Sequence, residues 1–333
     1  MRQNNEYLQP LVSVIIPTYN RLHYLPEAIA SAVQQTYQNI EIIVCDNCSE
    51  ISPQAIIDTF QDPRIRLWRN DQNIGMVANI KNGFNMAKGK YVASLHDDDM
   101  WEKDYLAKLV TVLEDNPDLA LAFCDYHIID ADNKIDYTLT EEVSLERNRT
   151  NLKAGIYRPF YDLAINMSIG SANAAVIRKD IVDWQAIPLE VGGCYDLYIN
   201  YLCSCSGLGA YYSPERLTRY RIHQQSETLT DNPQVNIGKA RNHIFCYEQF
   251  IEDTRLEQLQ PYFRRRLIES TYVLGVNLLV MGELKAARTC FKYIIKRKKF
   301  SKKAMTGLFL TFSPSLVALR SRLPQKYFSQ QPI

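Results

Sequence analysis

The stretch LVSVIIPTYN, residues 11–20, decides the fold class of this protein. Leu11–Ile16 is a short, mostly apolar run with β-branched residues, and it ends at Pro17, which is typical of a buried strand. Leu22–Gln35 then has apolar residues at close to helical spacing, and Pro26 lies near its start, where a missing N–H costs little. The sequence therefore predicts a buried strand, a polar strand end and a helix, in that order.

The same order recurs further along the chain. More strands are predicted at Ile40–Cys45, Ile65–Trp68, Tyr91–Leu95 and Leu119–Cys124, and more helices at Pro53–Phe60, Gly75–Ala87 and Lys103–Glu114. This alternation indicates an α/β fold with a Rossmann-like, mostly parallel sheet and helices on both faces. Ligands of such sheets bind beyond the carboxyl ends of the strands. The polar clusters of this chain lie at those ends, at Thr18–Asn20, Asp46–Asn47 and Asp97–Asp99.

The middle of the chain is less regular. Thr138–Thr150 is rich in charge and is predicted to be a mobile loop. Asp196–Cys205 has an aromatic-rich helical pattern, and two short strands are expected after it, near Ala210 and Leu217. The pattern of this part of the chain therefore places its strands and helices only approximately.

The charge of the chain is unevenly distributed, although its formal net charge is only +1. From Leu284 to Ile333 there are 12 Lys or Arg and no Asp or Glu, which leaves a net charge of −11 on the rest. After about residue 232 the pattern is helical, and one stretch resembles a single tetratricopeptide-like helix pair. We therefore predict two domains, residues 1–230 with the sheet and residues 231–333 as a helical extension.

The basic C-terminal part also has apolar residues interleaved with its cations, as in a basic amphipathic helix. This pattern predicts association with an anionic membrane surface. The alternatives are a solvated basic helix or a helix that packs on the acidic remainder, and no nucleic acid is expected as a partner. Met1–Pro10 is polar and no apolar run is long enough to span a bilayer, so we expect a cytoplasmic protein, peripheral on the inner face of the plasma membrane.

Three adjacent carboxylates, Asp97, Asp98 and Asp99, follow the predicted strand Tyr91–Leu95. Neighbouring carboxylates raise one another's pKa unless a cation lies between them. Mg²⁺ and Mn²⁺ prefer carboxylate oxygens and keep coordination positions for phosphate. An exposed acidic turn that caps the next helix explains the triplet equally well. The polar ends of the neighbouring strands favour the metal–phosphate site.

Five segments, in this order and at this spacing, resemble the motifs of family-2 glycosyltransferases. They are Val14–Arg21, Glu41–Ser49, Asn73–Gly75 followed by Asn79 and Gly83, Tyr91–Trp101, and Tyr220–His223. The resemblance covers roughly residues 10–225, and it implies a GT-A fold, a nucleotide-sugar donor and inversion at the anomeric carbon. The chain departs from the family pattern at His96, where the family often has Asp.

The resemblance also implies which residues form the donor site. The implied nucleotide-binding residues are Pro17, Thr18, Tyr19, Asn20, Asp46, Asn47, Asn73, Gly75, Asp97, Asp98 and, for the diphosphate, Arg221 with Arg219 as a second candidate. Asp46 would accept a hydrogen bond from the base, which suits the N3–H of uracil and hence a UDP-sugar. The implied ligands of Mn²⁺ or Mg²⁺ are Asp97, Asp99 and His223. Because the family often has Asp where His96 stands, the register of the motif can shift by one residue, and Asp98 is a further candidate ligand. Without the resemblance, these residues are equally typical of turns, helix caps and exposed strand positions.

The general base is the point where the family pattern is least complete. The family usually supplies it from an acidic pair just before a helix, and here Gly193–Cys194 stand near that place. We predict that Asp196 takes the proton of the acceptor hydroxyl, with Glu190 in reserve. The alternative is that Asp196 merely caps its helix.

Taken together, these features predict an inverting, metal-assisted glycosyltransferase. It would move a sugar from a UDP-sugar to a hydroxyl of a glycan or lipid-linked acceptor in cell-surface polysaccharide synthesis. The alternative, favoured by Gly193–Cys194, is a nucleotide-sugar-binding protein without transferase activity. A nicotinamide-dependent enzyme is disfavoured because no G-x-G-x-x-G follows the first strand.

Overall fold

A computed structural model of the protein describes residues 9–170, 172–223, 232–298 and 301–312. The described residues form two compact units. The first comprises those within Met1–Leu189 and Tyr195–His223, and the second those within Glu190–Cys194 and Gln224–Ile333. The predicted domain boundary at residues 230 and 231 lies outside the described residues and stays a prediction.

A single sheet forms the centre of the first unit. Its strands are β1 (Val12–Thr18), β2 (Ile40–Asp46), β3 (Ile65–Arg69), β4 (Tyr91–Ser94), β5 (Met100–Trp101), β6 (Leu119–Ile129), β7 (Gly155–Tyr157), β8 (Ala175–Arg178) and β9 (Gly209–Arg221). The strand order is β3-β2-β1-β4-β8-β6-β9-β5, and β7 pairs with β9. Strands β3, β2, β1 and β4 are mutually parallel, as are β6 and β9, whereas β8 is antiparallel to both β4 and β6. The predicted α/β fold is confirmed.

Helices pack beside this sheet. Those of the first unit are α1 (Leu25–Val33), α2 (Gln54–Asp58), α3 (Met76–Met86), α4 (Tyr105–Asp115), α5 (Tyr137–Glu146), α6 (Tyr161–Ile165) and α7 (Tyr195–Ser204). Strands β1, β2 and β4 are buried along almost their whole length, because both sheet faces are covered. A Cβ on Gly83 of α3 would lie 2.5 Å from the Ile15 side chain and 2.8 Å from Cys45 Sγ. Only glycine lets α3 approach the sheet this closely.

The structure corrects two predictions for the middle of the chain. Thr138–Thr150 is not a loop, because most of it forms α5, which Asp136 caps by accepting from Leu139 N. The buried face of α5 consists of Thr140 and Ser144, which bond to Ile128 N and to an Asp125 carboxylate oxygen. Because this buried face is polar, the sequence of α5 lacks the apolar periodicity from which a helix is predicted.

The second correction concerns the region after α7. The two strands predicted near Ala210 and Leu217 are one continuous strand, β9. Its pairing with β6 is irregular between Cys124 and Tyr126. This irregularity explains why the sequence pattern of β9 looks like two shorter strands.

The second unit is helical in its described residues, as predicted. It contains α8 (Pro233–Glu252), α9 (Gln260–Val280), α10 (Leu284–Arg297) and α11 (Lys302–Leu310). The helix pair recognised in the sequence is α9 and α10, in which Gly275 lies against the fully buried ring of Phe291. Among the described residues, no helix is long and apolar enough to cross a membrane.

Candidate active site

The loops that follow β1 and β2 are tied together at the carboxyl end of the sheet. Asn20 adopts a left-handed conformation with φ of 54°. Its backbone N–H donates to Ser49 Oγ at 2.8 Å, and its side-chain oxygen accepts from Glu50 N at 2.8 Å. Tyr19 stays 44% exposed beside this junction, whereas Thr18 is buried. The geometry presents the Tyr19 ring where a planar ligand group can pack.

Asp46 ends β2 and is completely buried. One carboxylate oxygen accepts from Ser49 Oγ at 2.5 Å and from Ser49 N at 3.1 Å. The other oxygen accepts from Arg69 Nη1 at 2.7 Å, and this arginine also donates to Ser49 O at 2.6 Å. Asp46 thus lies at the carboxyl end of β2, as predicted, and its carboxylate orients Arg69 and the turn at Ser49. Its contact with a base stays a prediction.

Asparagine side chains hold the next loop, residues 70–75, against the end of β2. Asn47 donates to Asn73 Oδ1 at 2.8 Å and accepts from Ile74 N at 3.0 Å. Behind them, Asn79 of α3 donates to Cys45 O at 2.7 Å and accepts from Asn70 Nδ2 at 2.9 Å. Asn47 and Asn79 each serve as both donor and acceptor, so the network fixes the position of the loop.

The loop ends at Gly75, the residue that precedes α3. Gly75 has φ of 85°, a left-handed conformation that favours glycine, and a Cβ placed there would meet nothing within 4 Å. Gly75 N donates to Asn73 Oδ1 at 2.9 Å. The backbone beside Gly75 is therefore open to a ligand, as the predicted role of Asn73 and Gly75 requires.

Asn79→Ala is expected to lower the free energy of unfolding by about 2 kcal/mol, because it removes the side-chain donor to the Cys45 carbonyl and leaves the Asn70 amide only its longer bond to Asn47 at 3.3 Å. Urea denaturation measures the change. The matched control is Asn82→Ala in the same helix, whose side chain donates to Asn70 Oδ1 at a long 3.5 Å. Equal losses in the two variants would contradict a structural role for the network.

The three aspartates after β4 are all buried, and each has different partners. Asp99 accepts from Arg221 N at 2.9 Å and from Asn173 Nδ2 at 2.9 Å. Asp98 lies 2.9 Å from Arg21 Nη1 and 3.2 Å from His223 Nε2. Asp97 lies farther from Arg21, at 3.4 Å. The exposed acidic turn considered from the sequence is therefore wrong, since these carboxylates are 1–7% exposed.

His96, Asp98 and Asp99 can each offer one ligand atom to a common metal ion. These atoms lie within 4.8 Å of one another, and among the described residues this is the group of three or more that could hold a metal ion. Of the predicted ligands, Asp99 and the further candidate Asp98 belong to the group; His223 contacts it through Asp98, and Asp97 lies outside it. In the sequence, His96 was recognised only as a departure from the family pattern. The signal that could have identified His96 as a candidate ligand was an imidazole at a position where the family often has a carboxylate.

The electrostatics of the cluster also suit a cation. Burial, and then the neighbouring Asp98 carboxylate, raise the pKa of Asp97 to about 7. The same two causes raise the pKa of Asp99 well above its ordinary value. Carboxylates that repel one another in a buried site are stabilised in their charged form by a divalent ion. A donor set of one nitrogen and two carboxylates fits Mn²⁺.

Arg221 does not take the position predicted for a ligand of the diphosphate. It is almost completely buried, and its guanidinium donates to Asp98 O, to the carbonyls of Asp130 and Ala131, and to Glu27 at 2.7 Å. The ring of Tyr24 packs against it at 4.5 Å. Arg221 therefore holds the acidic segment in place, because its donors face the protein. Arg219, the second candidate, pairs with Glu102 at 2.7 Å.

Asp196, the predicted base, lies in the first turn of α7, next to the metal-ligand candidates. Tyr195 bonds through its hydroxyl to His96 Nε2 at 2.5 Å, which ties α7 to the acidic segment. Burial raises the pKa of Asp196, against the opposing charges of Arg147 and His96. A carboxylate with a raised pKa is a better proton acceptor near neutral pH. Glu190, the reserve, belongs to the second unit and is exposed.

Known proteins with established folds resemble this chain over most of its length. The mannosyltransferase PcManGT of Pyrobaculum calidifontis, solved with GDP-Man and Mn²⁺, has a TM-score of 0.56 and 15% identity over 95% of this chain and 88% of its own. TarS residues 1–349 of S. aureus, solved with UDP-GlcNAc, has a TM-score of 0.61 and 12% identity over 93% and 91%. At these identities the likeness shows the fold, and that fold is of the GT-A type.

Relatives found by sequence have a higher identity to this chain than these solved structures. The putative teichuronic acid biosynthesis glycosyltransferase TuaG of Bacillus subtilis is 32% identical over 224 residues, which are 66% of this chain and 81% of TuaG. Residues 13–183 match the model of the family described as glycosyl transferase family 2. The matched region contains β1 to β4, the acidic segment and the asparagine network. The chain therefore belongs to glycosyl transferase family 2 and is a glycosyltransferase.

Proposed function

We propose that this protein is an inverting, metal-assisted transferase that moves a sugar from a UDP-sugar to a hydroxyl of a glycan or lipid-linked acceptor. The observation that carries the proposal is the group of His96, Asp98 and Asp99 beside Asp196, at the strand ends where the GT-A fold binds its donor. The likeness to TuaG supports a role in cell-surface polysaccharide synthesis.

A uridine donor is supported by the exposed donors at the end of β2. Asp46 is fully buried and paired with Arg69 at 2.7 Å, whereas the Arg69 side chain keeps 33% of its surface exposed and can donate to the carbonyl oxygens of uracil. TarS was solved with UDP-GlcNAc, whereas PcManGT was solved with GDP-Man, so the fold itself accommodates either nucleotide. The choice of UDP therefore rests on Arg69 and on the resemblance of Glu41–Ser49 to the family motif.

The chemistry requires a base on one side of the sugar and charge neutralisation on the other. Asp196 takes the proton from the acceptor hydroxyl, and the oxygen then attacks C1 from the face opposite the nucleotide. The C1–O bond to the diphosphate breaks as the new bond forms, so the configuration at C1 inverts. His96, Asp98 and Asp99 would hold Mn²⁺, which neutralises the charge that grows on the departing diphosphate.

Two observations bear on the alternative, a nucleotide-sugar-binding protein without activity. Gly193–Cys194 lack the acidic pair, and this favours it. Asp196, with its raised pKa beside His96, supplies a carboxylate in the neighbouring turn, and this favours catalysis. We regard the transferase as the better supported function.

A panel of nucleotide sugars tests the proposal. UDP-Glc, UDP-GlcNAc, UDP-Gal, UDP-GlcA and GDP-Man are incubated with the protein and Mn²⁺, and release of the nucleoside diphosphate is measured. We expect release from one UDP-sugar, loss of release in EDTA, and an inverted anomer of the freed sugar by NMR. Release from GDP-Man alone contradicts the uridine donor, and binding without release from any donor favours the inactive alternative.

We further propose that transfer occurs at a membrane surface, because a lipid-linked acceptor resides there and the C-terminal part of the chain is basic throughout.

A further inference from the structure

Helix α10 has a cationic side, on which exposed Thr289 is the neutral residue between the lysines. Lys285, Lys292 and Lys296 are exposed, and positions seven and eleven residues apart share one face of a helix. The opposite side packs into the unit through Ala287, Cys290, Phe291 and Ile294. No acidic residue follows Glu283 in the sequence, so no carboxylate of this segment offsets the lysines.

Helix α11 has an exposed apolar stripe. Met305 is 50% exposed, Phe309 is 63% exposed, and Phe312, in the turn after the helix, is 62% exposed. Their spacing of four and three residues places them along one side of the helix, and exposed Lys302 precedes Met305 on that side. Leu310, next to Phe309 in the chain, is buried on the opposite side of the helix.

A stripe of this kind requires a partner, because large apolar side chains aligned in water indicate a contact surface. The positive charge of α10 indicates which kind of partner covers the stripe. A nucleic acid or an acidic protein would pair with the lysines of α10 but would leave Phe309 and Phe312 in water. A bilayer with anionic lipids offers both negative headgroups and an apolar boundary within a few ångströms.

Arg288, one turn of α10 from both Lys285 and Lys292, joins the two features, because its guanidinium lies 4.2 Å from the centre of the Phe312 ring and donates to Thr311 O at 2.9 Å. We propose that a basic–apolar surface, formed by Lys285, Lys292 and Lys296 with Met305, Phe309 and Phe312, docks on a bilayer that contains anionic lipids. This inference rests on the proposed transfer to a lipid-linked acceptor, and it adds which residues meet the membrane. The lysines are attracted to the headgroups, and the phenylalanine rings enter the boundary between headgroups and chains.

Flotation with vesicles of 30% phosphatidylglycerol and 70% phosphatidylcholine tests the surface, using the full chain without donor or metal. We expect wild-type binding that weakens as salt is raised, and little binding to pure phosphatidylcholine. Lys285→Gln with Lys292→Gln and Lys296→Gln should weaken binding about a hundredfold, at about fivefold for each charge removed. Met305→Ser with Phe309→Ser should weaken it at least about tenfold.

Matched controls separate a defined surface from overall charge and apolarity. Lys88, Lys103 and Lys153 are exposed lysines of the first unit, and their triple Gln variant removes the same charge. Val273→Ser with Met281→Ser removes exposed apolar groups in α9 and at the residue directly after it. Both controls should bind vesicles as the wild type does, and circular dichroism should be the same for all variants.

Wild-type protein that stays off the anionic vesicles, binds phosphatidylcholine equally well, or loses binding as much in the controls overturns the proposal. Preference for heparin over vesicles also overturns it, in favour of an acidic polymer. The nucleoside diphosphate release assay is run in parallel without vesicles. Release without vesicle binding contradicts only the docking surface, and vesicle binding without release from any donor contradicts only the transferase.

Discussion

Asp196→Asn is expected to lower sugar transfer by roughly a hundredfold to ten-thousandfold, the range that general-base catalysis contributes. The amide keeps the shape of the side chain but cannot take the proton of the acceptor hydroxyl. Because the substitution leaves the residues around the donor pocket unchanged, the affinity for the nucleotide sugar should stay within about twofold. Calorimetry for binding and steady-state kinetics for transfer measure the two effects separately.

Thermal stability distinguishes this loss from unfolding. Burial raises the pKa of Asp196 in the folded state, so its ionised form destabilises the fold at pH values above that pKa. A neutral Asn removes this cost, and the melting temperature should stay the same or rise. The control is Asp162→Asn, an exposed acid in the first turn of α6. Full turnover by the Asp196 variant would remove this residue from the mechanism and direct attention to Glu190.

Asp98→Asn is expected to abolish the dependence of transfer on Mn²⁺ and to lower the rate about a thousandfold, since metal stabilisation of a leaving group is worth several kcal/mol. The wild type should melt at a higher temperature with Mn²⁺ than with EDTA, and the Asp98 variant should not. His96→Gln should show the same loss, because His96 shares the group. Asp97→Asn should keep most of the stabilisation by Mn²⁺.

This comparison decides between the ligands implied by the sequence and those brought together by the fold. If Asp97→Asn is as damaging as His96→Gln, the ligand set is the one implied by the family resemblance. A nitrogen ligand also favours Mn²⁺ over Mg²⁺, so His96→Asp should make Mg²⁺ a relatively better activator.

The pH dependence of the metal effect has a definite sign. Without metal, folded Asp97 binds a proton up to about pH 7, whereas the unfolded chain releases it near the ordinary carboxyl pKa of about 4. The folded state therefore holds more protons in this window, and its stability falls as the pH rises from about 4 to about 7. Mn²⁺ offsets the repulsion between carboxylates, so its stabilising effect should be larger at pH 8 than at pH 6.

Much of the site follows from local pattern, and its exceptions have physical causes. The polar strand ends at Thr18 and Asp46, and the acidic residues that follow β4, were predictable, because buried strands are short apolar runs that stop at polar residues. Helix α5 was not, because hydrogen-bonding Thr140 and Ser144 form its inner face. The role of Arg221 was also not predictable. The sequence pattern around a strand arginine is the same whether its N–H donors face a ligand or other groups of the protein.

The α/β order of elements, the family and the acidic segment could be inferred without coordinates, since each depends on residues that are consecutive in the chain. Which side chains share a centre depends on the folded structure. It brings His96 to Tyr195, which lies 99 positions later, and Asp99 to Arg221, which lies 122 positions later. In the C-terminal part of the chain, likewise, the charge can be counted from the sequence, but the exposure of each side chain cannot. Packing buries Leu310 and leaves Phe309 in water, because a helix that docks on one side must leave the other side exposed.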